Sequence, residues 1–338
     1  MRTIRAFVAR QRGNPAIATL VVLAILMVLF SLTSSRFLTW ENAVNVTRSS
    51  STVMIVGCAV TLVMIARGLD LSVGSVLAVC VVASAKLAST GAPLEVAYLA
   101  ALLVGLAFGL LNAVVIVGLR VTPIIATLGT LNIARGAAYL ITSSAILVGL
   151  PPNWADLGTG SMFGAIPYPV VIAAAVTVFF WILLNYTVFG RNVYAVGGNE
   201  DAARIAGVNV PRMYVILYAM SGLSVGLAAI VLGSRLGSGD PNIGIGFEFD
   251  VIVAVVLGGT SLAGGEGRIS GTILGALIVA VLSNGLNLAG VDPFWQYVAK
   301  GVALVVAVVI DRITSTDRET IVTRAPTAEL ESTTEGES

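Results

Sequence analysis

Several polar side chains of this sequence stand alone inside long apolar runs, where they could contact a polar solute. These are Asn112, Asn132, Arg135, Asn284, Asn287 and Lys300. A charged group at membrane depth is costly and usually faces a protein interior or an aqueous path. Neutral amides could bind a sugar-like solute, or they could equally hydrogen-bond a neighbouring helix. We predict a translocation path along Arg135 and the four asparagines, whereas Lys300 lies near enough to a helix end to snorkel.

Other kinds of chemistry find little support in the sequence. It contains no histidine, which removes histidine bases, serine triads and histidine metal sites. Neither of its lysines, Lys86 and Lys300, follows a glycine, so there is no G-x-x-x-x-G-K-[ST] loop to bind ATP. Cys58 and Cys80 both lie in apolar runs and are predicted to pack inside helices. We therefore predict no catalytic residue, no metal and no cofactor bound by this chain.

The composition is that of an integral membrane protein. Of the 338 residues, 57% are hydrophobic and 11% are charged, whereas soluble domains carry about 25% charged residues. Glycine, present 36 times, is more frequent in membrane helices because it allows close helix packing. A net charge of +1 gives no reason to expect a nucleic-acid partner.

Apolar runs of about 20 residues predict an all-α, polytopic fold with about ten transmembrane helices. The predicted helices cover residues 15–33, 51–66, 72–90, 95–118, 122–142, 168–187, 213–235, 248–262, 270–289 and 295–311. Arginines cluster on alternate loops, which by the positive-inside rule places both termini in the cytoplasm. Residues 1–312 then form one transmembrane domain, and 313–338 form a polar, disordered cytoplasmic tail.

Two segments rich in glycine and charge interrupt these runs, near 67–75 and 258–271. Gly-interrupted helices in corresponding positions are the best sequence pointer to a translocation site in a transporter. Glycines that adopt positive φ in two tight cytoplasmic turns explain the same pattern equally well. Asp70 and Glu266 are predicted to lie near the inner surface, where a charge costs little.

The polar segment 189–212 separates two apolar runs and contains a short capped helix. Asn199 is a favourable N-cap, and Glu200 and Asp201 place negative charge in the first turn, where the helix dipole favours it. Gly207 is the expected stop. Helices of about two turns are marginal in water on their own, so the segment is predicted to be a cytoplasmic surface that docks against a partner.

Five stretches, in order along most of the chain, resemble the membrane permease of ribose-type sugar ABC importers, a group that includes ribose, xylose, arabinose, galactose and autoinducer-2 systems. They are RGLDLSVGSVLA (67–78), VTPIIATLGTLNIARGAAYL (121–140), GRNVYAVGGNEDAARIAGVNV (190–210), VLGGTSLAGGEGRISGTILGALI (256–278) and FWQYVAKGVALVVAVVIDR (294–312). The chain beyond residue 312 has no counterpart in this resemblance.

The resemblance implies a permease in the bacterial cytoplasmic (inner) membrane that pairs with a second permease copy, as a homodimer or a heterodimer. It implies two copies of a separate cytoplasmic ATPase, which binds the ATP, and an extracytoplasmic solute-binding protein that delivers the sugar. It also places the coupling loop, which docks on the ATPase, at 189–212. Its coupling residues would be Gly197, Gly198, Asn199, Glu200, Ala203, Arg204 and Gly207.

The leading hypothesis is thus the permease subunit of an ATP-driven importer for a pentose or similar small sugar, which is not itself an enzyme. The alternative is a self-contained secondary transporter or channel for a small polar solute, in which 189–212 is only a connector. A membrane enzyme is disfavoured, because histidine and clustered carboxylates are absent.

Overall fold

The computed structural model describes residues 15–322, and this part of the chain is mostly helical. The helices are α1 (Pro15–Thr33), α2 (Trp40–Ile65), α3 (Val73–Ser89), α4 (Leu94–Ala113), α5 (Pro123–Thr142), α6 (Tyr168–Tyr186), α7 (Val188–Gly198), α8 (Glu200–Ile205), α9 (Val210–Leu236), α10 (Phe247–Leu257), α11 (Ile269–Leu288) and α12 (Pro293–Val322). A π-helical turn, Val114–Gly118, continues α4. Between α5 and α6 lie two helical turns, Pro152–Ala155 and Asp156–Thr159, and the antiparallel strands β1 (Ser161–Met162) and β2 (Ile166–Pro167).

Six helices of the described chain are long and apolar enough to cross a membrane. They are Trp40–Ile65, Leu94–Gly118, Pro123–Thr142, Tyr168–Tyr186, Val210–Leu236 and Ile269–Leu288. Three shorter apolar helices cover Ile17–Thr33, Val73–Ser89 and Phe294–Val306. The protein is therefore a polytopic, helical membrane protein, as predicted. Ten crossings and cytoplasmic termini stay predictions.

A helix is present at each predicted position, but several helices begin or end at residues other than those predicted. Helix α2 begins eleven residues earlier than predicted, at Trp40, where Thr39 caps it by accepting a hydrogen bond from the Asn42 amide. Helix α12 continues to Val322, so residues 313–322 of the predicted tail are helical. The rest of that tail, and Arg2, Arg5, Arg10 and Arg12 on which the orientation partly depends, lie outside the described residues.

The core is built around α2, most of which is buried against α6, α9, α10 and α11. Helix α3 is also largely buried, between α4, α5 and α9. Thr61 of α2 and Thr272 of α11 hydrogen-bond through their hydroxyl groups at 2.6 Å, inside this core. Among the six helices long enough to cross a membrane, α5 and α6 are the least buried.

Helices α4 and α9 approach each other closely through facing glycines. Gly105 and Gly109 of α4 lie against Gly222 and Gly226 of α9, and each pair is spaced four residues apart on one helix face. A methyl group on Gly222 would overlap the carbonyl of Gly105. Small residues at such spacing let two membrane helices bring their backbones into contact. The contact therefore fixes the position of α9 relative to α4.

The segment 66–72, which connects α2 to α3, enters the bundle alongside α9. The Tyr214 hydroxyl donates to the Ala66 carbonyl at 2.8 Å, and the Tyr218 hydroxyl donates to the Leu69 carbonyl at 3.1 Å. Ser221 then donates to the Asp70 carboxylate at 2.7 Å. Tyr214 and Ser221 are separated by about 10 Å along the helix axis. Helix α3 therefore begins beside the middle of α9, a 27-residue helix, rather than at its end.

A second re-entrant segment, residues 237–246, lies between the predicted helices 213–235 and 248–262, where the sequence analysis predicted no structure. It follows α9 and leads to α10, whose first turn lies beside the start of α3, since a methyl group on Gly74 would overlap both the Glu248 carboxylate and the Gly244 carbonyl. Gly244 and Gly246 have φ of +74° and +79°, which other residues adopt at a cost. Two short helices, α3 and α10, thus begin at the same depth in the bundle.

The break at 258–268 has a different position, because it lies at the end of the bundle that carries α7 and α8, called here the α8 end. Its Gly265 amide donates to the carbonyl of Ile65, the last residue of α2, at 2.8 Å. Gly264 and Gly265 have φ of +84° and +76°. This segment is a tight turn with glycines at positive φ, whereas the break at 66–72 enters the bundle. The tight-turn explanation therefore fits 258–268, whereas a translocation site at 66–72 stays a prediction.

The glycine contact between α4 and α9 gives a stability prediction. We expect Gly222→Ala to lower the free energy of unfolding by about 1–3 kcal/mol, because the added methyl has no space against Gly105. The measurement is thermal unfolding of the purified chain in detergent. Gly301→Ala in α12 is the matched control, since a methyl there meets no atom within 4 Å. Equal melting temperatures for the two variants would contradict the prediction.

Candidate functional site

The predicted short helix in the coupling loop is present as α8. The Asn199 side chain accepts a hydrogen bond from the Ala202 amide at 3.0 Å, which makes Asn199 the N-cap. Glu200 and Asp201 occupy the first turn, and Gly207, with φ of +88°, follows the helix end. The local signals in the sequence were sufficient here, because a cap and a stop act within one turn of the helix end.

Helix α8 has one face against the protein and one face open. Ala203 is buried, and its carbonyl accepts from the Val208 amide at 3.0 Å. The open face carries Glu200 and Arg204, which form an ion pair at 2.8 Å, and Ile205, which is 89% exposed. A single exposed isoleucine is ordinary on a protein surface, so Ile205 alone does not mark a docking surface. Ile205 was not among the predicted coupling residues, although it is an apolar residue in a polar segment.

Helix α7 attaches this surface to the transmembrane bundle. Gly197 lies directly against the end of α2 and the turn 258–268, since a methyl on it would overlap the Ile65 carbonyl and the Gly265 amide. The Tyr194 hydroxyl donates to the Gly267 carbonyl at 2.7 Å. Burial raises the pKa of the Tyr194 phenol, so it remains a hydrogen-bond donor at neutral pH. Of the predicted coupling residues, Gly197 is thus an internal packing position, whereas Glu200 and Arg204 are surface positions.

A buried polar network surrounds Asp70 inside the bundle. Asp70 is 2% exposed, and its carboxylate accepts from the Ser72 amide at 3.1 Å, the Ser72 hydroxyl at 2.6 Å and the Ser221 hydroxyl at 2.7 Å. Asn112 donates to the Ser72 hydroxyl at 2.9 Å and accepts from Thr130 at 2.5 Å. This network joins the start of α3 to α4, α5 and α9.

The prediction that Asp70 lies near the inner surface was therefore wrong. The spacing of apolar residues placed it at a helix end, but the chain re-enters the bundle after Ile65 and carries Asp70 beside the middle of α9. Its position just before the first turn of α3 is favourable for a carboxylate, because the positive end of the helix dipole lies there.

Arg135 supports the second re-entrant segment. Its guanidinium donates to the carbonyls of Pro241 and Ile243 at 2.7 and 3.0 Å. One turn along α5, the Tyr139 hydroxyl donates to the Asn242 side chain at 2.8 Å. Lys300 pairs with Asp250 of α10 at 2.8 Å and is mostly buried, so the interpretation that it snorkels was wrong. Helix α5 thus holds the segment that leads to α10, and α12 pairs with α10 itself.

The remaining asparagines do not gather around one point. Asn284 donates to the Asn42 side chain at 2.8 Å, between α11 and the start of α2. Asn132 and Asn287 are exposed, and the Asn132 amide donates to the Leu128 carbonyl of its own helix at 2.9 Å. The predicted translocation path stays a prediction for all five residues, Asn112, Asn132, Arg135, Asn284 and Asn287. Two of them, Asn112 and Arg135, hydrogen-bond other parts of the chain.

Comparison with known proteins places this arrangement in a family. The profile of a family described as "Branched-chain amino acid transport system / permease component" matches residues 42–308. The chain belongs to this permease family. The matched region contains both re-entrant segments, the Asp70 network and α8.

Curated relatives are similar over nearly the whole length of this permease. The ribose import permease protein RbsC of Escherichia coli (strain K12) is 41% identical over 298 residues, which cover 87% of this chain and 92% of the relative. The L-arabinose transport system permease protein AraH of the same strain is 39% identical, with 89% and 92% covered. The probable ABC transporter permease protein YphD of that strain is 38% identical, with 90% and 91% covered. No solved structure gives a significant match.

These relatives confirm the resemblance to ribose-type sugar ABC permeases. The chain is a permease subunit of an ABC importer, in which the ATPase is a separate subunit. The family thereby implies an ATPase and a binding protein as partners of this permease. The absence of a nucleotide-binding loop from the sequence has the same explanation.

The Asp70 network gives a prediction about stability. We expect Asp70→Ala to lower the free energy of unfolding by about 3 kcal/mol, because it leaves the Ser72 and Ser221 donors buried without an acceptor. Asp70→Asn should cost less, because its amide oxygen still accepts. Thermal unfolding of the purified permease measures both, with Asp201→Ala at an exposed position of α8 as the control. A melting temperature for Asp70→Ala equal to that of Asp201→Ala would refute the prediction.

Proposed function

We propose that this permease imports a pentose or a similar small sugar, driven by ATP that a cytoplasmic ATPase binds. The observation that carries the proposal is α8, an exposed, capped helix attached to one end of the bundle in a chain that has no P-loop. Relatives named for ribose and arabinose transport, 41% and 39% identical, support the choice of substrate class.

The proposed orientation places the α8 end in the cytoplasm of a bacterium, with the permease in its inner membrane and about ten crossings. Arg67, Arg191, Arg204, Arg212 and Arg268 all belong to segments at the α8 end, and basic residues are enriched on the cytoplasmic side. Both termini then also lie in the cytoplasm.

A second permease copy is part of the proposal. Helix α5 exposes Gly129, Asn132 and Gly136, three positions on one helix face, and a methyl on either glycine would meet no atom of this chain. If this face were in contact with lipid, the side-chain amide of Asn132 would lie in the apolar middle of a span, which is unfavourable. A partner copy or a water-filled path against this face removes that cost, which supports a dimer with the sugar path beside α5.

In this mechanism the permease acts as a gate. Closure of the ATPase dimer moves α8, and the close contacts of Gly197 and Tyr194 pass the movement to the end of α2 and the turn before α11. Packed helices move as rigid bodies because interiors are close-packed and deform little. The path then opens toward a solute-binding protein docked on the opposite face.

Reconstitution tests the proposal against a self-contained transporter or channel. The permease is placed in liposomes alone, with its ATPase, and with both ATPase and binding protein, and uptake of labelled ribose and arabinose is followed. Uptake is expected only with both partners and ATP. Transport at full rate by the permease alone would establish the alternative.

The surface of α8 gives a mutational prediction. Glu200→Arg combined with Arg204→Glu reverses both exposed charges while leaving an ion pair possible at the same spacing. We expect the double variant to insert normally but to lose most ATPase association and uptake. Co-purification of the ATPase from membranes measures association, with Asp201→Ala, next to the pair, as the control. Unchanged co-purification of the double variant would show that α8 is not the docking element.

A further inference from the structure

Arg67 lies where three segments of the α8 end meet. It belongs to the segment 66–72 that leads to Asp70 and α3. Its guanidinium donates through Nη2 to the carbonyl of Gly198, the last residue of α7, at 2.9 Å. It also donates through Nε to the carbonyl of Ala263, in the turn before α11, at 3.0 Å. One side chain therefore joins the coupling loop to both interrupted segments.

The backbone of Arg67 is held firmly at this junction. Its amide donates to the Met64 carbonyl at 2.9 Å, and the Gly68 amide donates to the Val63 carbonyl at 2.8 Å, so the residue completes the end of α2. Its φ is +64°, in the left-handed region. A residue so fixed cannot shift alone, and a displacement of its side chain is passed to the chain on both sides of it.

The two acceptors explain why an arginine suits this position. The Gly198 carbonyl is at a helix C-terminus, where no partner within the helix exists and a cation is favoured. The guanidinium presents several N–H groups in a fixed plane, so it can hold two carbonyls at once, which the single ammonium of lysine does less rigidly. Gly264 has no side chain where the Arg67 stem passes, since a methyl on it would overlap Cγ of Arg67.

We propose that Arg67 is the positioning residue that transmits movement of α8 to the two interrupted segments of the permease. This rests on the proposed function, in which α8 docks on the ATPase. When α8 moves, the Gly198 carbonyl moves with it, and Arg67 draws the segment 66–72 and the turn 258–268 in the same direction. The segment 66–72 ends at the Asp70 network, so the displacement reaches the start of α3 inside the bundle.

The test uses the complete transporter, permease with ATPase and binding protein, in liposomes with labelled ribose as the probe. Three quantities are measured: ATPase co-purification, ATP hydrolysis without binding protein, and ribose taken up per ATP hydrolysed with it. The variants are Arg67→Ala and Arg67→Lys. Arg120→Ala is the matched control, because Arg120 is exposed, also has positive φ (+56°) at a helix end, and makes no side-chain hydrogen bond within the described chain.

For Arg67→Ala we expect normal co-purification and basal hydrolysis, and about a tenfold lower uptake per ATP, within the range of coupling between distant sites. Arg67→Lys should fall between wild type and Arg67→Ala, and Arg120→Ala should match wild type. Such a split separates a transmitting role from a folding role, which would lower co-purification and basal hydrolysis but leave the uptake per ATP of the assembled complexes unchanged.

Uptake per ATP at the wild-type value in Arg67→Ala would overturn the proposal. If Arg67→Ala fails to assemble, Arg67→Lys decides: assembly with impaired coupling supports the proposal, whereas normal coupling or failed assembly overturns it. Failure of the proposed function is visible separately, because the wild-type complex would then show no ATP-dependent ribose uptake.

Discussion

Backbone amides and carbonyls that leave a helix inside a membrane have no water to bind, so the protein must supply their partners. This requirement shapes the interior of the permease. Hydroxyl groups of α9, on Tyr214, Tyr218 and Ser221, donate hydrogen bonds to the segment 66–72. The segment 237–246 is held by the Arg135 guanidinium. Side chains on long, regular helices therefore permit two irregular segments at depth, and the short helices α3 and α10 begin from them.

The same requirement links the interior to the α8 end. The turn 258–268 and the end of α2 share a backbone hydrogen bond, and α7 lies against both with a glycine at the contact. The coupling loop is thus joined to the bundle by direct backbone contacts and by Tyr194 and Arg67. A surface that received force from an ATPase would need such attachments, because a flexible connection would absorb the movement.

Much of the fold could be predicted from the sequence, because apolar runs and turn residues act locally. The positions of the helices and the cap at Asn199 followed from patterns within one or two helical turns. The roles of Asp70 and Lys300 could not be predicted in this way. Their partners, Ser221 and Asp250, are 151 and 50 residues distant in the chain, and nothing local distinguishes a charged residue at a surface turn from one in a re-entrant segment. The segment 237–246 was missed because its glycines fit an ordinary loop equally well.

The sequence by itself determined that this is a helical membrane protein without a P-loop, and where its polar segment 189–212 lies. Composition, run length and motif spacing decide those properties, and none of them depends on which helices are neighbours. The tertiary structure decided how deep each break lies, which buried charges are satisfied, and that the two interrupted segments meet α7 at one end of the bundle. Those properties depend on the contacts between distant helices, above all the glycine contact of α4 with α9, and such contacts are set by packing rather than by local sequence.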